Sequence, residues 1–462
     1  MPIIDLLTPV KTVHCSLGPI PHDESSNAGN IMVLENIFRH QYHLPDSAFE
    51  ERLFLIYGDQ KTTQRIRSIK QSREEAQRPY DRLQWALPVP ALFHLRMNYL
   101  YMISRLHFGG PGGGQSTLYD AMNFWTRKKI SKSKADFYAL EQLIIHSFQA
   151  KVCALLWRRL AQSGPETGLH FEDIVRMLAA HDVESFSQLL DNIIHSYDKH
   201  ARSIDDQELR NHILFLQHTQ VYLLLKYSIK HADLGLLRRA IDRCCIYFHG
   251  SGQSKYAYEM LYLLHLTSTR AATPELQRAI LANGLVNRQG KADSWYETDR
   301  LVEFHNGILK KLFKAKRGSA LTLDYLFEHC ALNTDFFDSL TKQMESFYSV
   351  NRNSKHPEKS AERDIRIMAQ RLSCNGSIAP QSGRTVKHEA IDVLKVGAMR
   401  IAGKAIANFN RTACNIGYDY LEGDEDEFVE EHEDDDDETD EEIDQFFAPD
   451  HVDEGVEENE TF

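Results

Sequence analysis

Residues 53–62 read LFLIYGDQKT. The apolar run from Leu53 to Tyr57 stops at Gly58-Asp59-Gln60, and a polar stretch of helical character follows. Five mostly apolar residues fit a buried strand, and Gly and Asp fit the turn that ends it. Asp59 then has two readings. It is a turn residue that caps the next helix, or it is a carboxylate held at the C-terminal end of a strand, where a rigid sheet presents reactive groups. The first reading belongs to a helical protein with a short strand, the second to a small α/β core.

On the N-terminal side, IMVLENIFRHQY has apolar residues at positions 31, 33, 34, 37 and 38, with Asn30 as a cap, which predicts a helix. Residues 1–28 are irregular and hold one strand candidate, VKTVHCSL. On the C-terminal side, TTQRIRSIKQSREEAQ is a polar helix. LQWALPVPALFHL (83–95) is a second apolar run broken by two prolines. It predicts a short strand and a turn into a helix that continues to Gly109. GGPGGGQS (109–116) lacks the Gly-Lys-Ser/Thr ending of a phosphate-binding loop and reads as a flexible connector. Residues 116–282 carry apolar residues three and four apart throughout, with no strand-like alternation. Their histidines lack metal-ligand spacing.

GLVNRQGKADSWYETD (284–299) reads as a loop, with Asp299 capping the helix RLVEFHNGILKKLFKAKRG. Glu303, Asn306 and Lys310 are spaced to share one face of that helix. Helices are expected over 322–350 and 358–372, then a linker, CNGSIAPQSG, and a basic amphipathic helix, HEAIDVLKVGAMRIAGKAIANFNRT.

The 462 residues are 42% hydrophobic and 26% charged, enough to bury a core. No apolar run approaches the roughly 18 residues of a membrane span, and the N-terminus lacks the pattern of a signal peptide, so no membrane association is expected and the chain is expected in nucleus or cytoplasm. The scattered, odd number of cysteines, 7, argues for reduced thiols. The net charge of −13 conceals an asymmetry. Residues 422–462 contain 23 Asp and Glu and no Lys or Arg, leaving residues 1–421 with 53 basic against 43 acidic side chains. An acidic tail, expected to be disordered, follows a mildly basic body that can attract polyanions.

Three motifs stand together: Gly58-Asp59-Gln60-Lys61-Thr62 after the strand, Pro90-Ala91-Leu92-Phe93-His94 at the second run, and Trp295-Tyr296-Glu297-Thr298-Asp299-Arg300-Leu301-Val302-Glu303-Phe304-His305-Asn306 far downstream. In these the chain resembles a fungal family, the domain of unknown function numbered 6589, over residues 18 to 375. It also resembles, more distantly and in layout only, the mutator-type transposases with an RNase H-like core. That layout implies a mostly α chain with a small α/β core: an incomplete RNase H-like sheet, a large all-helical insertion and a disordered acidic tail. The implied segments are 1–115 (truncated N-terminal part of the core), 116–283 (insertion), 284–372 (C-terminal helices of the core), 373–421 (linker and basic helix) and 422–462 (tail). It implies Asp59 and Glu303 as metal carboxylates for Mg²⁺ or Mn²⁺, with His94 as a neighbouring catalytic group; hard divalent ions take carboxylate oxygens in two-metal phosphodiester transfer. Lys310, Lys311, Lys314 and Arg317 would meet nucleic acid.

One element of the layout is missing. A first catalytic aspartate would need strands before residue 30, and Asp5 and Asp23 are its only candidates, neither behind a convincing strand. Longer relatives extend further upstream, so a truncated core is expected. The expected function is therefore a mobile-element-derived, catalytically degenerate remnant that binds nucleic acid. The alternatives are a helical scaffold with protein partners and no nucleic-acid role, and an active metal-dependent nuclease or transposase.

Overall fold

The computed structural model describes residues 4–127, 130, 136–162, 171–180, 183–314, 329, 333–349 and 361–414. The acidic tail and Arg317 lie outside the described residues. The fold is mostly helical with small sheets.

Strand β1 (Phe54–Gly58) pairs in parallel with β2 (Ala86–Pro90), Phe54 opposite Ala86 and Gly58 opposite Pro90. Helix α3 (Gln60–Ser72) makes the crossover between them, after α1 (Asn27–Glu35), which runs on as a π-helical turn to Gln41, and α2 (Asp46–Glu51). Strand alternation sorts the side chains. Phe54 and Ile56 face a small aromatic core of Phe38, Phe49 and Trp85, in which Trp85 lies 4.9 Å from each phenyl ring. Leu55 and Tyr57 face the helical body. The sheet is covered on both sides, as a parallel pair requires.

The helical body starts with α4 (Leu92–His107), α5 (Leu118–Phe124) and α6 (Phe137–Gln162), and continues with α7 (Phe171–Ala179), α8 (Val183–Ser203) and α9 (Gln207–His231). Then come α10 (Leu234–Ser251), α11 (Ser254–Ser268) and α12 (Pro274–Ala282). One apolar cluster runs from Val89 in β2 through these helices to Met368 and Val393. A two-residue hairpin of β3 (Leu285–Val286) and β4 (Tyr296–Glu297) precedes α13 (Thr298–Lys314). Helices α14 (Thr334–Phe347), α15 (Glu362–Cys374), α16 (Val393–Arg400) and, after a π-helical turn, α17 (Ile406–Cys414) follow.

Four sequence expectations are corrected besides the cap of α1, which is Ser26, with Asn30 inside the helix. VKTVHCSL forms no strand; it is held just beyond the end of β3 by the Thr12 N–H donating to the Asn287 carbonyl at 2.8 Å, with no ladder. The stretch 284–299 contains the short hairpin, whose paired segments are too brief for alternation to show. The glycine-rich run 109–116 is packed: Gly114 has φ of +87°, and a Cβ there would meet Glu208 Oε1 at 2.8 Å. Together with Arg371 and Arg384 the run lines a polar cavity of about 460 Å³. The fourth concerns Asp299, which caps a helix other than its own, as described next.

Candidate functional site

The C-terminal ends of β1 and β2 lead directly into α3 and α4. Gly58 sits where a Cβ would fall 2.8 Å from Thr62 Cγ2, so the turn needs glycine. Asp59 is the N-cap of α3, and its Oδ1 accepts from the Thr62 N–H at 2.7 Å. Across the pair, the Ala91 N–H donates to the Gly58 carbonyl at 2.9 Å. This leaves the first turn of α4 beside Asp59, with no cap from its own segment.

Asp299 supplies that cap. Its carboxylate accepts from the Phe93 N–H at 3.0 Å and the His94 N–H at 3.1 Å, and it accepts again from His94 Nδ1 at 3.1 Å. A carboxylate at a helix N-terminus answers both the orphan N–H groups and the helix dipole. Asp299 lies in the first turn of α13, and Glu303 lies one turn further along the same face. Burial disfavours the imidazolium of His94. The Asp299 hydrogen bond and charge, with the charges of Glu303 and Asp59 behind them, outweigh burial and raise its pKa above the ordinary 6.5. Asp59, His94 and Glu303, named from the sequence, are thus brought into one electrostatic neighbourhood, with Asp299 as its hub.

Helix α11 closes the crevice from the side of the helical body. Tyr256, Glu259 and Met260 stand against Asp59, Ala91 and His94 and leave a cavity of about 10 Å³, room for about one water-sized probe. Glu259 forms a buried ion pair with Arg67 of α3 and accepts from Thr63 Oγ1 at 3.2 Å. Burial raises the pKa of Glu259, with a smaller push from Asp59, against the pull of Arg67. A second buried network lies deeper: Arg96 of α4 donates to Glu297 of β4 at 2.5 Å and to Glu141 of α6 at 3.1 Å. Sequence reasoning passed over both networks. Their signal was a charged residue inside an apolar helical stripe, Arg96 in FHLRMNYL and Glu259 in YAYEMLYLL, because such residues stay buried only when paired.

Among the described residues no group of three or more His, Cys, Asp or Glu side chains is arranged to hold a metal ion. Asp59 and Glu303 therefore fall short of a two-metal ligand set. Asp5 and Asp23 are engaged elsewhere: Asp5 pairs with Arg278 at 3.1 Å, and Asp23 accepts from the Ser25 N–H at 2.8 Å. Lys310, Lys311 and Lys314 lie on α13, downstream of Glu303.

A family of unknown function, DUF6589, matches residues 1–356. The chain belongs to this family. No curated protein and no solved structure matches it. Among the described residues no helix is long and apolar enough to cross a membrane.

Proposed function

We propose that this DUF6589 chain is a mobile-element-derived, RNase H-like remnant that has lost catalysis and binds nucleic acid. The observation that carries the reading is the convergence at His94. A parallel β–α–β unit ends in Asp59, the helix after its second strand starts with His94, and a helix some 200 residues later brings Asp299 and Glu303 to the same imidazole. That is where a sheet-based phosphodiester site would stand. The degeneracy rests on two features: among the described residues Asp59 and Glu303 belong to no group of three or more side chains arranged to hold a metal ion, and α11 fills the crevice at Asp59. The basic balance of residues 1–421 is what would draw a polyanion, with Lys310, Lys311, Lys314 and Arg317 in the basic run that follows Glu303 in sequence.

A scaffold reading has its own support, because Asp59 and Asp299 both spend oxygens on helix N–H groups. Binding of labelled single- and double-stranded oligonucleotides, over a salt series and with and without Mn²⁺, separates the readings. The remnant binds with a steep salt dependence, cleaves neither substrate, and keeps its affinity in Asp59→Ala and Glu303→Ala. Absence of binding at low salt selects the scaffold. Mn²⁺-dependent cleavage that disappears in Asp59→Ala selects an active nuclease. Calorimetric titration with Mn²⁺ adds a direct check: a heat lost in both variants places Asp59 and Glu303 in one cation site.

A further inference from the structure

The chain's charge is distributed in a way that the site around His94 does not use. Residues 393–414 contain Lys395, Arg400, Lys404 and Arg411 and no acidic residue. One side of this helical segment is fully committed to the body. Val393 and Gly397 are buried, a Cβ on Gly397 would lie 1.9 Å from the Ile246 carbonyl oxygen, and Phe409 packs 5.3 Å from the Tyr258 ring of α11. The four cations are exposed on the remaining surface. Arg400 donates to the His249 carbonyl at 2.8 Å and Arg411 to Asn408 at 3.3 Å, both neutral partners, so no carboxylate among the described residues is paired with any of the four. Arg400, Lys404 and Arg411 recur four and seven residues apart, the spacing of one helix face. Leu394, Met399 and Ile406 are exposed on the same segment.

The opposite charge lies close by in sequence. Eight residues after Cys414, the 41-residue segment 422–462 begins, with its 23 carboxylates and no cation. We propose that the cationic face of α16–α17 is the docking surface of this acidic C-terminal segment of the same chain. Complementary charge is one part of the argument and tethering is the other. A chain extends roughly 3.3 Å per residue, so the segment can span about four times the roughly 33 Å of a helix of this length. A short connector holds it at an effective concentration of order millimolar. Weak, screened contacts between many charges suffice at that concentration, and outside polyanions must displace the segment to reach the same cations. The inference stands independently of the site at His94.

Zero-length carbodiimide cross-linking of the full chain tests it, because an amide then forms only between a lysine amine and a carboxylate already in contact. At low salt, cross-links from 422–462 are expected at Lys395 and Lys404, several-fold above the exposed reference lysines Lys61 and Lys199. They are expected to fall several-fold in 0.5 M salt. They should also fall in Arg400→Gln/Arg411→Gln, which keeps both target lysines while halving the charge of the face. Mixing isotopically light and heavy chains distinguishes contacts within one molecule from contacts between two. Cross-links spread evenly over all exposed lysines, unchanged in the double variant, or formed mainly between molecules would overturn the proposal.

Discussion

His94 is the residue on which the candidate site turns, and its protonation is a consequence of where Asp299 sits. A half-buried imidazole left alone would resist its charge. Here the Asp299 carboxylate lies on Nδ1 and the charges of Glu303 and Asp59 add to it, so the folded protein binds the proton more tightly than the unfolded chain does. The sign for stability follows. A base whose pKa rises on folding contributes stability that is fully present below the unfolded value of 6.5 and is lost as pH rises through the folded value. A chemical-shift titration of His94 is expected to show a midpoint above 6.5, falling in Asp299→Asn, which removes the charge but keeps the shape. A midpoint unmoved by Asp299→Asn would mean that the charge is not what holds the proton. The same variant removes the negative charge from the N-terminus of α4, so its stability should fall by about 0.5 kcal/mol even at high pH.

At the scale of elements, α10 and α16 meet in a close helix–helix contact. Gly250 and Gly397 let two backbones approach so closely that a Cβ on either would lie 1.9 Å from a carbonyl oxygen of the other helix, Val393 and Ile246 respectively. No side-chain rotation relieves a clash with backbone, so the helices must separate. Gly397→Ala is expected to cost about 3 kcal/mol in urea unfolding. Gly403→Ala, in the π-helical turn with open space around it, should change stability by less than about 0.5 kcal/mol. Equal effects at both positions would show that helix propensity, not close approach, governs this segment. How legible each element was in the sequence depended on the same distinction between local and distant causes. The strand ending at Gly58, the turn into α4 and the long helices announce themselves by period and by Pro or Gly punctuation. The β3–β4 hairpin does not, because each strand is two residues long. The neighbourhood of Asp59, His94 and Glu303 was legible through motifs, whereas the role of Asp299 was not: capping is read as a local rule, and this carboxylate caps a helix that begins 207 residues earlier in the chain. Glu259 was hidden for a related reason, since its partner Arg67 lies on α3, far away in sequence.

The whole molecule carries a buried base that its stability must reflect. Lys151 of α6 lies only 3% exposed, donating to the Ser116 carbonyl at 2.7 Å with its ammonium 4.0 Å from the Phe215 ring centre, and no carboxylate among the described residues pairs with it. Burial depresses its pKa to about 7, against some help from Asp120 and Glu208. Close by, burial also lowers the pKa of His107, His212 and His218, and His107 Nε2 meets His218 Nδ1 at 2.7 Å. Around Lys151, His107, His212 and His218 the core therefore favours the neutral form of these bases. For such groups the unfolded chain binds more protons, so stability rises with pH across the interval between the folded and unfolded values. For Lys151 that interval runs from about 7 to 10.5. Replacing the amine with an apolar chain of similar length should remove the penalty. Lys151→Met is expected to be more stable than the natural chain at pH 7, and its advantage should shrink by about 1.4 kcal/mol for each pH unit between 7 and 10.5. Paired urea titrations at pH 7, 8 and 9 measure that slope directly, and the difference between the two chains cancels the thiols and phenols that also titrate near the upper end. A constant advantage across the series would mean that Lys151 stays protonated in the fold, with Ser116 and the Phe215 ring compensating its charge. An advantage that declines at the expected slope would show that the helical body tolerates an unpaired lysine only by releasing its proton.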